Sequence, residues 1–298
     1  MGRRTKLWVV VLAGGEGTRV AHLTTNRRGQ PVPKQFFRIH EHGSMLQWTL
    51  DRAARHADRT RVVALVSDAQ RRWWEQQLHP LLPENILSQP ENRGTSVALL
   101  HATVHVLRHE PGARILVLPS DHYVADERAL DEAIERAVEH ARTSPEKLVL
   151  LGARPDLEDT EYGWIVPATG SAGEPLPVER FVEKPARDEA RSCLERGGVW
   201  NTFVLAFTGW ALVHTFQRVV PDLFRTYMAA LDGGRLEAYL ARRAYADMPS
   251  YDFGHDVLEK VTPSLRLITL PACGWTDLGT PMRMERWLAE RNGSSAQA

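Results

Sequence analysis

Cysteine is scarce in this sequence. The 298 residues include two cysteines, Cys193 and Cys273, and their spacing is not that of metal ligands. A disulfide framework is typical of small secreted proteins, so this low number argues against one and favours a reducing compartment. Neither cysteine lies in a sequence context typical of a catalytic nucleophile. Because the low cysteine number favours a reducing compartment, we expect a cytoplasmic protein.

Excess charge and long apolar runs are also missing. Lys and Arg together number 37, as do Asp and Glu, which gives a formal net charge of +0. Such a balance does not suggest nucleic-acid binding. No apolar stretch is long enough to cross a bilayer. The basic N-terminal residues are followed by a short apolar run that ends at Gly14 and Gly15, which is typical of a strand rather than of a signal peptide. No nucleic-acid or membrane partner is therefore expected.

The chain does contain a regular alternation of apolar and amphipathic segments. Short continuous apolar runs are typical of strands covered on both faces, and segments of helical periodicity separate them. This alternation predicts right-handed βαβ units and a mostly parallel sheet, whose ligands bind beyond the carboxyl ends of the strands. The predicted strands are 7–12, 62–66, 115–118 and 148–151, and the predicted helices are 45–56, 96–108 and 129–141.

The pattern changes after Leu151. The stretches YGWIVPATG and VERFVEKP are typical of two strands around a Gly- and Pro-rich turn, which indicates an antiparallel excursion from the main sheet. Helical patterns dominate from about Gly209 to Lys260, and LRLITLPA is again typical of a strand. Because there is no internal repeat or low-complexity linker, we expect one α/β domain over 1–290 and a flexible tail over 291–298.

A glycine-rich turn, AGGEGTR, follows the first apolar strand at residues 13–19. A P-loop needs Lys and then Ser or Thr after its second glycine, whereas Thr18 and Arg19 stand there, and the dinucleotide fingerprint G-x-G-x-x-G fails at its third glycine. Closely spaced glycines can present N–H groups to phosphate oxygens, and Arg19 adds a charge with bidentate geometry. An ordinary turn with a surface arginine is equally compatible with this stretch alone.

Charged residues follow other stiffened loops and predicted strands. Lys34 follows two prolines, Asp121 follows the strand that ends at Leu118, and Asp277 lies in a turn after a later strand. Lys34 could instead be a solvated surface residue, and Asp121 could cap the helix after Asp126. Two carboxylates at strand ends, basic residues and a glycine nest together favour a magnesium–nucleotide site for phosphoryl or nucleotidyl transfer.

Several motifs occur in one characteristic order along the chain. They are LAGGEGTRVAHL with PKQF, QPENRGTSVAL, VLPSDH, YGWIVP, FVEKP, VWNTFVLAF and GWTDLGT. The combination, from Val9 to about Trp287, resembles the sugar-1-phosphate nucleotidylyltransferases, and the mannose-1-phosphate guanylyltransferases most of all. This resemblance implies a Rossmann-like, mostly parallel sheet flanked by helices, of the nucleotide-diphospho-sugar transferase type, with a small antiparallel sugar-binding subregion.

The resemblance also implies a role for each matching residue. Arg19 would grip the β- and γ-phosphates of an NTP, Lys34 would neutralise charge around its α-phosphate, and Asp121 and Asp277 would bind Mg²⁺. The implied catalytic residues are Arg19, Lys34 and Asp121. The implied nucleotide-binding residues are Leu12, Ala13, Gly14, Gly15, Gly17, Thr18, Gln89, Arg93, Gly94 and Thr95, and the implied sugar-phosphate-binding residues are Tyr162, Gly163, Glu183, Lys184 and Asn201.

On the sugar side, the resemblance assigns Glu183 and Asn201 to sugar hydroxyls and Lys184 to the phosphate. Neighbouring residues of a strand point to opposite faces, so Glu183 or Lys184 could instead be a solvated charge unless a bulge redirects it. Asn201 could instead be a turn residue, and Tyr162 with Gly163 could simply begin a strand.

The implied reaction is attack of a sugar-1-phosphate oxygen on the α-phosphorus of the NTP, with release of pyrophosphate. GTP and mannose-1-phosphate are favoured, although Gly94 and Val97 stand where guanylyltransferases often have Asn and Pro. Uridylyl, adenylyl or thymidylyl transfer and a non-catalytic nucleotide-sugar-binding regulator are the alternatives. The sequence lacks the left-handed β-helix and cupin-like domains that many relatives append, so no second activity is expected. A homodimer is one candidate assembly.

Overall fold

The continuous apolar runs of the first half form buried parallel strands. The computed structural model describes residues 6–26, 28–38, 43–170, 173–232 and 248–295. The first four strands are β1 Leu7–Ala13, β2 Val62–Ser67, β3 Ile86–Gln89 and β4 Arg114–Pro119. β1 pairs in parallel with both β2 and β4, and β2 pairs in parallel with β3. All four carboxyl ends therefore meet at one edge of the sheet, and the parallel arrangement predicted for this half is confirmed.

The second half adds an antiparallel part to the sheet. Its strands are β5 Leu148–Ala153, β6 Trp164–Pro167, β7 Leu176–Val182, β8 Val199–Thr208 and β9 Leu265–Thr269. β8 lies antiparallel between β4 and β5, while β6 and β7 form the predicted antiparallel excursion. The nine-stranded sheet has the order β3-β2-β1-β4-β8-β5-β9-β7-β6 and is therefore mixed. A further pairing of β6 with β8 joins the last five strands into a ring.

Helices cover both faces of this sheet. The described helices are α1 Met45–His56, α2 Arg71–Trp74, α3 Thr95–His109, α4 Glu127–Thr143, α5 Arg187–Glu195, α6 Gly209–Val219, α7 Pro221–Asp232, α8 Phe253–Asp256 and α9 Pro281–Ser295. Val9 and Val11 of β1 pack with α1 and α4, whereas Trp8 and Val10 pack with α3 and α6. The predicted α/β class with helices flanking the sheet is thus confirmed, whereas the sheet is mixed rather than mostly parallel, because β6, β7 and β8 pair antiparallel. Among the residues described, no helix combines the length and the apolar character needed to cross a membrane.

The structure describes two places where the sequence left the local conformation open or favoured a flexible segment. Asn201 is not a turn residue, because it lies within β8 and pairs with Gly152 of β5. Its strand is stabilised by partners distant in the sequence, which a local pattern does not reveal. Residues 291–295, predicted as part of a flexible tail, continue α9, since each residue added to an existing helix gains a backbone hydrogen bond at small cost. Residues 296–298 lie outside the described part of the chain.

Candidate active site

The glycine-rich turn follows β1 and is held by two glutamine side chains. Gln35 and Gln70 both donate from Nε2 to the Gly15 carbonyl oxygen, at 2.7 Å and 2.9 Å. Gly17 has a φ of 63°, and a Cβ there would lie 2.9 Å from the backbone nitrogen of Lys34. Glycine is therefore required at position 17 for both its conformation and its space. At Gly15, no atom of the described residues lies within 4 Å of the position of a Cβ, so packing does not require glycine there.

A cavity of about 290 Å³ opens beyond the carboxyl ends of β1, β3 and β4. Open parallel sheets bind their ligands at this edge. The predicted site residues that line the cavity are Leu12, Gly14, Gly15, Gln89, Gly94, Thr95 and Asp121. Other predicted nucleotide-binding residues are close in sequence to the lining residues but, in the part of the chain that the structure describes, do not line the cavity themselves. These are Ala13, Gly17, Thr18 and Arg93.

Gly94 joins the cavity to a distant segment of the chain. Its φ is 84°, and a Cβ there would come within 2.2 Å of the Tyr251 carbonyl oxygen. Tyr251 N donates to Arg93 O at 3.1 Å, and Ser96 N donates to Tyr251 O at 3.2 Å. The close approach of the Tyr251 backbone therefore explains why glycine stands at a position where guanylyltransferases often have asparagine.

Lys34 lies between the two predicted metal-binding aspartates. Its Nζ is 2.8 Å from Asp121 Oδ2 and also donates to the backbone oxygen of Asp277. The side chain is 5% exposed, so Lys34 is not a solvated surface residue. Burial raises the pKa of Asp121, but the Lys34 ammonium and His122 outweigh this effect and leave the pKa below its usual value. Asp121 is therefore ionised at neutral pH, and Asp126 rather than Asp121 caps α4.

Asp277 is oriented by two hydrogen bonds and one ion pair that reach one of its oxygens. Tyr162 Oη donates to Asp277 Oδ1 at 2.8 Å, and Gly279 N donates to it at 3.0 Å. Arg283 Nε lies 3.2 Å from the same oxygen. Burial and the charge of Asp277 raise the pKa of Tyr162, so its hydroxyl remains a donor. Tyr162 is therefore joined directly to a predicted metal-binding carboxylate and does more than begin a strand.

Arg19 forms an ion pair with Glu161, the residue before Tyr162. The two side chains are 59% and 44% exposed, so the pair is largely solvated. Exposed pairs of this kind contribute about 0.2–1 kcal/mol at most. A phosphate that binds at the glycine turn can therefore displace Glu161 from the guanidinium at small cost.

Three of the predicted sugar-side residues converge next to the cavity. A Cβ at Gly163 would lie 2.6 Å from Glu183 Oε2 and 3.5 Å from Asn201 Cβ. Asn201 N donates to Gly163 O at 2.7 Å. Asn201 Oδ1 accepts the backbone N–H of Phe203 at 3.1 Å, and Phe203 lines the cavity. The group formed by Gly163, Glu183 and Asn201 therefore borders the cavity edge.

Glu183 and Lys184 meet although they are neighbours in the chain. β7 ends at Val182, and Lys184 has a φ of 46°, in the left-handed region. This change of direction brings Lys184 Nζ back to Glu183 Oε1 in an ion pair. Burial raises the pKa of Glu183, and the raise persists although Lys184 acts in the opposite direction. The two side chains therefore meet instead of pointing to opposite faces, and the Lys184 side chain is 47% exposed.

The family model described as Nucleotidyl transferase matches residues 8–289. The chain belongs to this family. Among similar proteins, xanthan biosynthesis protein XanB of Xanthomonas campestris pv. campestris (strain B100) is 32% identical over 277 residues, which are 91% of this chain and 57% of that protein. Mannose-1-phosphate guanylyltransferase of Escherichia coli (strain K12) is 30% identical over 289 residues, which are 93% of this chain and 59% of that protein. The chain thus spans less than two thirds of the length of these relatives.

A solved structure is also similar to this chain over most of its length. A protein of Thermus thermophilus, described as mannose-1-phosphate geranyltransferase, superposes with a TM-score of 0.78 and 30% identity. The similarity covers 92% of this chain and 77% of that chain. The fold and the family of this nucleotidyl transferase therefore agree.

Arg283 is a residue of this nucleotidyl transferase that sequence reasoning missed. It lies on α9, donates from Nη1 to Asp159 Oδ2 at 2.9 Å, and stacks its guanidinium 4.2 Å above the Tyr162 ring. Together with its approach to Asp277, these contacts place a buried positive charge beside the predicted metal site. The chain separation of 124 residues from Asp159 explains why no local pattern indicated it.

The predicted Mg²⁺ site of the nucleotidyl transferase is a pair of carboxylates. Among the described residues, no three His, Cys, Asp or Glu side chains form a group that could hold a metal ion. Mg²⁺ commonly takes one or two protein carboxylates and completes its octahedron with water and substrate phosphates. Asp121 lines the cavity, and Lys34 joins its carboxylate to the backbone oxygen of Asp277, so two residues with carboxylates of this donor type lie in the same region.

Proposed function

We propose that the chain transfers a nucleotidyl group from an NTP to a sugar-1-phosphate, with GTP and mannose-1-phosphate as its substrates. The products are then GDP-mannose and pyrophosphate. One observation carries the proposal: both groups reach the glycine-lined cavity. Asp121 of the Lys34–Asp121–Asp277 group lines it, and Asn201 of the Gly163–Glu183–Asn201 group accepts the N–H of Phe203, which lines it too. The choice of GTP and mannose-1-phosphate is supported by the E. coli relative, which is a mannose-1-phosphate guanylyltransferase.

On the nucleotide side, the cavity takes the base and ribose, and the N–H groups of the glycine turn face the triphosphate. Arg19 leaves Glu161 and grips the phosphates that become pyrophosphate. Lys34 holds a buried positive charge beside Asp121 before substrate arrives, so no reorganisation is needed when charge develops around the α-phosphate. These groups offset the repulsion between two anionic substrates.

On the sugar side, Glu183 and Asn201 bind hydroxyls, and Lys184 holds the phosphate of the sugar. An oxygen of that phosphate attacks the α-phosphorus in line, the bond to the bridging oxygen of the β-phosphate breaks, and pyrophosphate leaves. The protein contributes alignment and charge rather than a covalent intermediate. Mg²⁺ bound by Asp121 and Asp277 would supply further positive charge to the phosphates.

A substrate panel tests this function. The protein is incubated with Mg²⁺, each of GTP, ATP, CTP, UTP and dTTP, and each of several sugar-1-phosphates. Pyrophosphate release is measured and the nucleotide-sugar is identified by mass spectrometry. GTP with mannose-1-phosphate is expected to react fastest, and EDTA to stop the reaction. Binding of a nucleotide-sugar without turnover of any pair would instead identify a regulator.

Asp277→Asn is the matched variant for this test. Its amide keeps an oxygen for Tyr162 and Gly279, so the fold should persist by circular dichroism, while loss of the charge should lower turnover sharply. Asp222→Asn, at an aspartate 80% exposed on α7, serves as the control and should retain wild-type rates. Undiminished turnover in EDTA and in Asp277→Asn would refute the metal-assisted reaction.

A further inference from the structure

The Glu183 carboxylate lies in a narrow slot between two glycines. A Cβ at Gly163 would be 2.6 Å from Glu183 Oε2, and a Cβ at Gly254 would be 2.2 Å from the same oxygen. Two heavy atoms do not approach this closely without a shift of one of them, so a side chain at either position would displace the Glu183 carboxylate. The orientation of Glu183 therefore depends on a segment more than sixty residues further along the chain, at Gly254.

Glu259 holds the backbone of Glu183 from the same segment. The Glu183 N–H donates to Glu259 Oε1 at 2.8 Å. Because β7 ends at Val182, this N–H lies beyond the strand and takes its acceptor from a side chain. Glu259 thus fixes the position of the Glu183 backbone. Gly254, which has no Cβ, leaves space for the Glu183 carboxylate.

The segment formed by residues 251–259 also contacts the nucleotide side. Its first residue, Tyr251, donates its N–H to Arg93 O and accepts the N–H of Ser96 in the first turn of α3. Phe253 is fully buried and packs edge-on against Phe203, which lines the cavity, with ring centroids 5.9 Å apart. One short segment is therefore attached to both halves of the candidate site.

We propose that Glu259 is a positioning residue for the sugar-1-phosphate. Glu259 acts through Glu183, because it accepts the hydrogen bond of the Glu183 N–H. Segment 251–259 connects Glu259 to Arg93 and Ser96 on the nucleotide side. The inference rests on the proposed function, since that function assigns Glu183 to the sugar. Affinity and selectivity for the sugar half then depend on Glu259, while affinity for the nucleotide does not.

Steady-state kinetics of two variants at this position test the inference. Glu259→Ala removes the acceptor of the Glu183 N–H and should raise the KM for sugar-1-phosphate about tenfold, the size expected for a hydrogen bond to a charged group. The KM for NTP should stay within about twofold, because Tyr251 still holds the nucleotide loop through its backbone. Glu259→Gln keeps an oxygen acceptor and should restore most of the sugar-1-phosphate affinity.

Two further variants separate positioning from general damage. Gly254→Ala should reproduce the rise in sugar-1-phosphate KM by displacing the Glu183 carboxylate, whereas Glu132→Ala, at an exposed glutamate of α4, should change neither KM. Circular dichroism and thermal unfolding establish that each variant is folded. An unchanged sugar-1-phosphate KM in Glu259→Ala, or equal increases for both substrates, would overturn the inference.

The inference about Glu259 can be tested even if the proposed function is wrong. If the wild-type protein releases no pyrophosphate with any substrate pair, calorimetric titration with mannose-1-phosphate and glucose-1-phosphate decides the inference instead. Binding that weakens in Glu259→Ala and recovers in Glu259→Gln supports it. Equal binding to all three proteins, or no binding of either sugar phosphate to the wild type, refutes it.

Discussion

The ammonium of Lys34 lies 2.8 Å from Asp121 Oδ2, with the lysine side chain 5% exposed. The positive charge is therefore carried by a buried side chain beside Asp121, which lines the cavity, and not by a flexible surface side chain. The same ammonium donates to the backbone of Asp277, so it joins two turns that are far apart in the chain. This arrangement makes Lys34 the natural first target for mutation.

Lys34→Met should lower kcat by about 10²–10³, the loss typical of removing one preorganised charged donor. The methionine side chain fills similar space, so the variant should stay folded although Asp121 loses its partner. Steady-state rates at saturating substrate measure the effect, with Lys147→Met as the control. A folded Lys34→Met protein with wild-type kcat would contradict a role in neutralising the α-phosphate.

Arg19→Ala should lower both kcat and the affinity for NTP, because the guanidinium is expected to hold the leaving pyrophosphate. Arg19→Lys should recover part of the loss, since an ammonium does not reproduce the bidentate fork. Glu161→Gln is the informative partner: it frees Arg19 from its ion pair and should leave kcat intact while NTP KM stays equal or falls. Near-normal kinetics for Arg19→Ala would mean that the turn is structural.

Gly17 and Gly15 should respond differently to alanine. Gly17→Ala forces a positive φ and a contact at 2.9 Å with the Lys34 backbone, so it should destabilise the fold by about 1–3 kcal/mol. Gly15→Ala meets open space and should leave the unfolding midpoint nearly unchanged, but it should raise NTP KM because Gly15 lines the cavity. Urea denaturation and kinetics of both variants check the contrast, and equal destabilisation would contradict it.

Lys184→Ala should raise the KM for sugar-1-phosphate far more than the KM for NTP. The charge of Lys184 is placed beside Glu183 on the proposed sugar side, and phosphate binding by such a charge contributes to substrate affinity. Lys184→Arg should recover part of the affinity. Equal changes in the two KM values would place this lysine elsewhere in the mechanism.

Stability should fall in mild acid, in part because of His101. Burial, and to a smaller extent the charge of His105, lowers the pKa of His101 to about 4, and its Nδ1 lies 2.8 Å from Tyr227 Oη. The unfolded chain takes up the proton near pH 6.5 and the folded chain near pH 4, so stability is full above pH 6.5 and is lost as pH falls toward 4. The full loss from this group is on the order of 3 kcal/mol.

Urea denaturation at pH 7.5 and pH 5 measures this dependence. His101→Gln carries no titrating group and should show a smaller difference in unfolding free energy between the two pH values. His105, whose pKa is also lowered to about 4 by burial, should account for part of what remains. A variant with the same pH dependence as the wild type would exclude His101 as a cause.

The parallel half of the sheet could be predicted because its signals are local. β1, β2 and β4 are buried on both faces and therefore almost wholly apolar, and helices separate them. The short edge strand β3, ILSQ, is only half-buried and was not predicted. β8 carries no comparable signal, since its position depends on contacts such as that of Thr202 Oγ1 with Leu151 O, 51 residues away. Propensity alone did not distinguish its VWN segment from a turn.

The candidate site likewise combines features with local sequence signals and features that depend on long-range contacts. Asp121 and Asp277 could be placed at strand ends because parallel strands bring their ends together. The contact of Lys34 with Asp277 spans 243 residues, and the meeting of Lys184 with Glu183 depends on a left-handed backbone at a lysine, which residue type does not predict. The roles that the motifs imply for individual residues stay predictions until the variants are measured.

The place of β8 has a consequence for dissecting the chain. Residues 1–153 carry an unbroken strand–helix pattern and look like a separable nucleotide-binding module. Yet β4 and β5 are not neighbours within that stretch, because β8, contributed by residues 199–208, fills the gap between them. A fragment that ends at Ala153 would leave one edge of β4 and both edges of β5 unpaired, and it should aggregate rather than fold. Supplying residues 154–298 as a second polypeptide should rescue it by complementation.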